Sequence, residues 1–174
     1  MAVFSVDWED YNHALHIGGQ SRIVEPTLFI LDLLDKYNVK AIFYILGRAK
    51  DENPGLFETI KKRGHKLGWH GQHHDHHEMA FSYDYRSPYW DTTPMPWPPA
   101  GGFFFRFMPY SYVKWATEKS GMFWLHPHDV MENHPKLKSP FLNWKRNIGL
   151  KTARAKLDKL ISEVSWNDPQ SPED

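Results

Sequence analysis

Short apolar runs alternate with helical patterns along the first part of the chain, and this alternation limits the folds that it can adopt. Val3–Val6, Val39–Leu46 and Lys66–Trp69 have the composition of buried strands. Leucines at helical spacing lie between the first two runs. A second helix is predicted to begin at Asn53-Pro54, an N-cap followed by proline, and to end at Gly64. Strands separated by helices pair in parallel, so the pattern predicts an α/β fold.

Polar side chains follow three of the predicted strands. Three carboxylates lie between residues 7 and 10, and five of the 11 histidines lie between residues 70 and 77. His126 follows another predicted strand, Met122–Leu125. Because chemistry collects at the carboxyl ends of parallel strands, we expect these groups to meet at one rim.

Composition excludes several classes of protein. The absence of Cys rules out disulfides, thiolate metal ligands and a Cys nucleophile. A net charge of zero gives no footprint for nucleic acid, and no apolar run is long enough to span a membrane. The amino terminus lacks a basic leader followed by an apolar segment, so we expect a cytoplasmic protein. The length predicts a single domain at 1–164, with 165–174 as a flexible tail.

His70 and His74 are four residues apart, a spacing that can place two imidazoles on one face of a helical turn. Two histidines and one carboxylate leave positions open for water and substrate, which is typical of catalytic metal sites. The alternative is a group of solvated surface histidines. The carboxylates near residue 7 have two interpretations as well, since they could form an acidic loop with a helix N-cap or surround a cation.

Five segments, taken in order, resemble the motifs of the polysaccharide deacetylases, also called NodB-homology or carbohydrate esterase family four domains. They are Phe4–Asp10, Lys40–Gly47, Gly64–His74, Tyr85–Trp90 and Leu125–His128. Gly101-Gly102 and the Phe-Arg that follows are similar to a branch found in extracellular-polysaccharide and O-antigen loci. The resemblance extends from about residue 3 to residue 164 and implies a (β/α) barrel.

The resemblance implies a metal site and a cofactor. Glu9, His70 and His74 would bind one divalent metal ion, with Asp10 as the competing carboxylate. Zinc suits these ligands best, and iron, cobalt or nickel are alternatives.

The resemblance also implies roles in catalysis. Asp7 would be the catalytic base, Arg86 would orient Asp7, and His126 would be the general acid. The implied residues on the substrate side are Tyr89, whose backbone N–H helps hold the oxyanion, Leu125 in the acetyl pocket, and Trp90, which could stack on a sugar ring or fill the core.

Two departures from the family pattern change the expected fold and site. Position 8 is Trp where the common motif has a second Asp, so the identity of the metal carboxylate stays open between Glu9 and Asp10. Only eleven residues separate His74 from Arg86, where most relatives have a helix and a strand. We therefore expect a shortened, distorted barrel, with a wider opening or with a second copy of the chain that closes it.

The expected function is metal-dependent removal of the N-acetyl group from an amino sugar or a polysaccharide precursor. The expected setting is bacterial surface-polysaccharide synthesis, including the O-antigen of lipopolysaccharide. Two alternatives remain open. One is deformylation or cyclic-amide hydrolysis on the same scaffold, and the other is a degenerate carbohydrate-binding protein without catalysis.

Overall fold

The computed structural model describes residues 1–14, 19–72 and 97–169, and every structural statement below concerns these residues. Their four strands form one parallel sheet in the order β3-β2-β1-β4. The strands are β1 (Val3–Trp8), β2 (Ile42–Ile45), β3 (Lys66–Trp69) and β4 (Met122–Leu125). The α/β fold with a parallel sheet, predicted from the alternation of strands and helices, is confirmed.

Helices connect the strands and follow the last one. The helices among the described residues are α1 (Tyr11–Ala14), α2 (Val24–Lys36), α3 (Gly47–Glu52), α4 (Pro54–Lys62), α5 (Gly102–Phe107), α6 (Tyr110–Ser120), α7 (Pro140–Asn147) and α8 (Leu150–Glu163). A 3-10 turn at Pro127–Val130 follows β4 directly. None of the helices within the described ranges is both long and apolar enough to cross a membrane.

The two faces of the sheet have different environments. Phe4, Val6 and Trp8 of β1 belong to the main core, which also contains buried residues of α2, α4, α6 and α8. Val3 of β1 faces the other way and clusters with Ile42 and Tyr44 of β2. Such a sheet, with its main helical core on one side, has the form of a barrel wall. In the part of the chain that the structure describes, β3 and β4 are its edges.

Trp8 occupies the position where the common family motif has a second Asp, and the structure explains how it is accommodated. Its side chain is buried, and its indole N–H donates to Thr27 Oγ1 of α2 at 3.0 Å. The Thr27 hydroxyl in turn donates to the carbonyl of Ile23 at 2.6 Å. Position 8 therefore packs against a helix, on the opposite side of the strand from Asp7.

The end of the described chain is bonded to the beginning of β1. The backbone N–H of Ala2 donates to the Ser165 carbonyl at 2.8 Å, and the N–H of Asn167 donates to the Ala2 carbonyl at 2.9 Å. The ring of Trp166 packs 5.3 Å from the ring of Phe4. Residues 165–169 of the expected tail are thus attached to the domain, and residues 170–174 lie outside the described residues.

A test of the core concerns His65, which is buried beside β2. The ring contacts Phe43, and Nδ1 accepts the N–H of Ala41 at 3.3 Å. Burial, with a smaller effect from the Lys40 charge, lowers the pKa of His65 to about 4. Between about pH 6.5 and pH 4 the unfolded chain binds a proton here that the folded chain does not, so the free energy of unfolding falls as the pH falls.

His65→Asn keeps a hydrogen-bond acceptor but cannot be protonated. We expect it to remove the part of the pH-dependent decrease in the free energy of unfolding that comes from His65. The loss of stability between pH 7 and pH 4.5, measured by urea denaturation, should be about 2–3 kcal/mol smaller in the variant than in the parent. Equal losses in the two proteins would contradict this assignment.

Candidate active site

The candidate site lies where the carboxyl ends of β1 and β4 meet. Val6 of β1 is in register with Leu125 of β4, so the residues that follow them, Asp7 and His126, lie side by side. In the sheet, β2 and β3 lie on one side of β1 and β4 lies on the other, so the strand order reverses at β1. Such a reversal of strand order is where ligands bind in parallel sheets.

His126 lies between carboxylates on both sides of its ring. Its Nδ1 is 3.3 Å from Asp129 Oδ2, and its Nε2 is 3.3 Å from Glu9 Oε1 and 3.8 Å from Asp7 Oδ2. Burial alone would lower the pKa of this imidazole, but the hydrogen bond to Asp129 and the charges of Asp129, Asp7 and Glu9 raise it to about 9. Both ring nitrogens carry a proton in this form, and a general acid needs one such proton to donate.

Asp129 connects His126 to a second cation. One carboxylate oxygen accepts the backbone N–H of His126 at 2.9 Å, and the other accepts Arg106 Nε–H at 2.8 Å. Burial would raise the pKa of Asp129, but the hydrogen bond to His126 and the charges of His128 and Arg106 hold it well below its usual range. Asp129 is therefore an ionised, fully buried carboxylate.

Asp10 has a structural position. Oδ1 accepts the N–H of Asn12 at 2.8 Å, and Oδ2 accepts the Ser21 hydroxyl at 2.8 Å and the N–H of Arg22 at 2.7 Å. Both oxygens are thus committed to holding residues 19–22 against α1. This arrangement favours Glu9 over Asp10 as the carboxylate at the site.

Glu9 and Asp7 give the site an excess of negative charge. Both side chains are buried, and Asp7 Oδ1 has no hydrogen-bond partner within the described residues. Burial raises the pKa of Glu9 to about 7, with His126 acting in the opposite direction and Asp7 adding to the rise. A divalent cation beside these oxygens would stabilise both ionised carboxylates. The donor chemistry therefore fits the metal that the family motifs imply.

His70 is buried at the end of β3, where its backbone N–H donates to the Ile45 carbonyl at 2.9 Å. Burial lowers its pKa, the charge of Asp7 raises it, and the charge of His126 lowers it further. The neutral imidazole is the form that binds metal. Because β3 is paired with β2 in parallel, His70 lies at the same carboxyl edge of the sheet as Asp7.

The remaining predicted residues divide into two groups. Leu125 is fully buried at the end of β4, directly before His126. The other four lie outside the described residues: His74, Arg86, Tyr89 and Trp90.

A cluster beside His126 has no counterpart in the sequence prediction. The rings of His126 and His128 stack with centroids 4.5 Å apart and an angle of 11° between their planes. Arg146 Nη1 lies 3.3 Å from His128 Nε2, and its guanidinium lies 5.7 Å from the centroid of the Tyr11 ring. The adjacent His-Pro-His in the sequence was the only local signal for this cluster, and the approach of Arg146 from α7 has none.

Glu9, His126 and His128 form a second set of potential metal ligands, with ligand atoms within 4.8 Å of one another. A ligated metal lies close to the plane of each imidazole, whereas two stacked rings direct their lone pairs along nearly parallel planes. Arg146 also places a positive charge beside His128. The acidic side of the site, toward Asp7 and His70, therefore fits a cation better.

Two family models match consecutive parts of the chain. The polysaccharide deacetylase model matches residues 24–92, which include His70, His74 and Arg86. A model for a domain of unknown function, DUF3473, matches residues 87–171, which include Arg106, His126 and Asp129. Residues 24–92 therefore match a polysaccharide deacetylase domain of the NodB type. The family resemblance stated from the motifs is confirmed, without confirmation of the O-antigen branch.

Curated relatives of this deacetylase domain match over short segments. The peptidoglycan-N-acetylglucosamine deacetylase PgdA of Listeria monocytogenes (strain 10403S) is 41% identical over 56 residues, which are 32% of this chain and 12% of the relative. A peptidoglycan-N-acetylglucosamine deacetylase of Bacillus cereus is 31% identical over 106 residues, covering 57% of this chain and 38% of the relative. The chain thus spans well under half the length of these relatives.

A solved structure supports the fold of the deacetylase domain. It is a mutant of BA3943, a CE4 family pseudoenzyme with restored enzymatic activity. The TM-score is 0.53 at 13% identity, over 94% of this chain and 61% of that chain. At this identity the similarity concerns the fold alone.

The structural role of Asp10 leads to a stability test. We expect Asp10→Ala to lower the free energy of unfolding by about 3 kcal/mol, because it leaves the buried N–H of Asn12 and the partly buried N–H of Arg22 without their charged acceptor. Ser21→Ala, which removes one of the three donors, should cost about 1 kcal/mol. Both values come from urea denaturation at pH 7. A cost for Asp10→Ala no larger than that for Ser21→Ala would contradict the role.

Proposed function

We propose that this deacetylase domain hydrolyses the N-acetyl group of an amino sugar within a polysaccharide or its precursor. The observation that carries the proposal is the position of His126, whose Nε2 points at Glu9 and Asp7 while its Nδ1 contacts Asp129. This arrangement combines a proton donor with carboxylates suited to a base and a metal ligand at one sheet edge.

The proposed metal ligands are Glu9, His70 and His74, with zinc as the first choice and iron, cobalt or nickel as alternatives. A divalent metal bound there would polarise the amide carbonyl and acidify a bound water. Buried carboxylates at Glu9 and Asp7 and a neutral His70 support this assignment.

The residues of the chain itself would carry the proton transfers. Asp7 takes a proton from the attacking water, and His126 gives its Nε2 proton to the departing amine nitrogen. Arg86 would hold Asp7 ionised and oriented. The substrate-side residues of the proposal are Tyr89 for the oxyanion, Leu125 for the acetyl methyl group, and Trp90 for the sugar ring.

Both relatives are named as peptidoglycan-N-acetylglucosamine deacetylases, which favours N-acetylglucosamine within a polymer as the substrate. We further propose a cytoplasmic precursor in surface-polysaccharide synthesis as the natural form of the substrate. A second copy of the chain that completes the short barrel belongs to the same proposal. Neither nucleic acid nor a membrane is part of the proposed interactions.

Removal of the general acid tests the reaction. We expect His126→Ala to lower kcat for acetate release from N-acetylglucosamine oligomers by about 10²–10⁴-fold, because the amine must leave without a proton donor. His65→Asn is the matched control, since His65 is buried away from the site. Unchanged turnover in His126→Ala would contradict the mechanism. Release of formate only, from formylated analogues, would favour deformylation, and a wild-type protein without hydrolysis would favour carbohydrate binding.

Metal content tests the ligand assignment independently of activity. After loading with zinc and equilibrium dialysis, we expect one ion per chain in the wild-type protein and in Asp10→Asn, measured by elemental analysis. Glu9→Gln should bind zinc at least tenfold more weakly, because it loses the anionic ligand. Weak binding in Asp10→Asn together with normal binding in Glu9→Gln would reverse the assignment. Circular dichroism checks that each variant is folded.

A further inference from the structure

Arg106 is a buried cation that joins three parts of the fold. It lies on α5 with 4% of its surface exposed. Nε donates to Asp129 Oδ1 at 2.8 Å, and Nη1 donates to the carbonyls of Ile148, at 3.2 Å, and Arg146. Arg106 therefore connects the turn that follows His126 to the junction between α7 and α8.

The two oxygens of Asp129 have separate partners. Oδ1 accepts from Arg106, while Oδ2 faces both the backbone N–H and the ring Nδ1 of His126. Because Arg106 and its carbonyl acceptors fix one edge of the carboxylate, they also fix the direction from which the other oxygen meets the imidazole. The planar guanidinium can maintain this geometry in a way that a flexible ammonium cannot.

Glycines let α5 lie directly against β4, the strand that ends just before His126. A Cβ at Gly101 would lie 2.1 Å from the Trp124 carbonyl oxygen of β4. At Gly149, whose φ is +75°, a Cβ would lie 2.1 Å from the Arg106 carbonyl oxygen. The backbone around Arg106 is thus confined on both sides, which allows its side chain to act as a fixed support.

We propose that Arg106 is a positioning residue for His126 and acts through Asp129. This inference rests on the proposed deacetylase function. During hydrolysis the water oxygen bonds to the acyl carbon, one water proton passes to Asp7, and the His126 Nε2 proton passes to the amine nitrogen as the C–N bond breaks. Neutral His126 keeps its Nδ1 proton on Asp129. Asp7 then releases its proton to solvent, and His126 takes one from solvent.

Two substrates separate positioning of the acid from general damage to the protein. The amine of an N-acetylglucosamine tetramer needs a proton to leave, whereas the phenolate of 4-nitrophenyl acetate does not. We expect Arg106→Lys to lower kcat on the tetramer at least tenfold and to change ester turnover less than about threefold. His126→Ala should show the same selectivity.

Lys156→Met is the matched control. Lys156 Nζ donates to the backbone carbonyls of Phe105, Arg106 and Met108 at the end of the same helix, at 2.9, 3.2 and 2.8 Å. It therefore touches the backbone of Arg106 but not its guanidinium, and among the described residues it forms no hydrogen bond with Asp129. Loss of this cation should leave the ratio of the two activities unchanged. Equal losses on both substrates in Arg106→Lys, or no loss on either, would overturn the proposal.

A measurement on the side chain decides the positioning claim even without turnover. Wild-type protein that hydrolyses neither substrate would refute the proposed function. In that case, long-range ¹⁵N–¹H spectra of His126 test Arg106 alone. We expect the Nδ1–H signal in the wild-type protein to move or broaden in Arg106→Lys and to stay in place in Lys156→Met. An identical Nδ1 signal in Arg106→Lys would overturn the proposal.

Discussion

The parallel pairing of β1 with both β2 and β4 is the constraint on which the rest of the structure depends. It makes β1 an interior strand and places Asp7 beside His126, residues that are more than a hundred positions apart in the sequence. β3 pairs in parallel with β2, so His70, which follows β3, lies at the same rim. Without the crossover that brings β4 to β1, the acidic and basic halves of the site would not meet.

Charge balance is the second organising factor. The rim buries the carboxylates of Asp7, Glu9 and Asp129, and such burial is costly unless positive charge lies close by. His126 and Arg106 provide part of that charge through contacts near 3 Å. Asp7 Oδ1 remains without a partner in the described ranges. Asp129 thus lies between two cations, whereas Asp7 and Glu9 share the single cation His126.

Local patterns predicted much of the fold. Asn53 and Pro54 begin α4 as expected, and Gly64, with φ of +72°, follows its end. The segment from Gly149 to Val164 has apolar residues at helical spacing, and α8 occupies Leu150–Glu163. The exposed helix α7 was not predicted, because it buries none of its side chains and so has no core-facing stripe in the sequence.

The candidate site was predictable only in part. Asp7, Glu9 and His126 follow predicted strands, and their family motifs are recognisable, so their convergence could be expected from topology. The Arg106–Asp129 pair could not, since Arg106 belongs to the Phe-Arg segment that resembles one family branch but Asp129 has no motif signal, and nothing in the sequence pairs the two. The role of Trp8 could not be predicted either, because it depends on a hydrogen bond to Thr27 on the opposite side of β1 from Asp7.

The central claim is that this rim holds a metal on its acidic side and a proton donor on the other. A crystal structure of the zinc-loaded protein, with anomalous data collected at the zinc edge, tests it most directly. We expect one anomalous peak within bonding distance of Glu9 and His70, about 2.0–2.2 Å from each ligand atom, with His126 still hydrogen-bonded to Asp129. A peak between Glu9 and the stacked His126 and His128 rings, or no peak after loading, would contradict it.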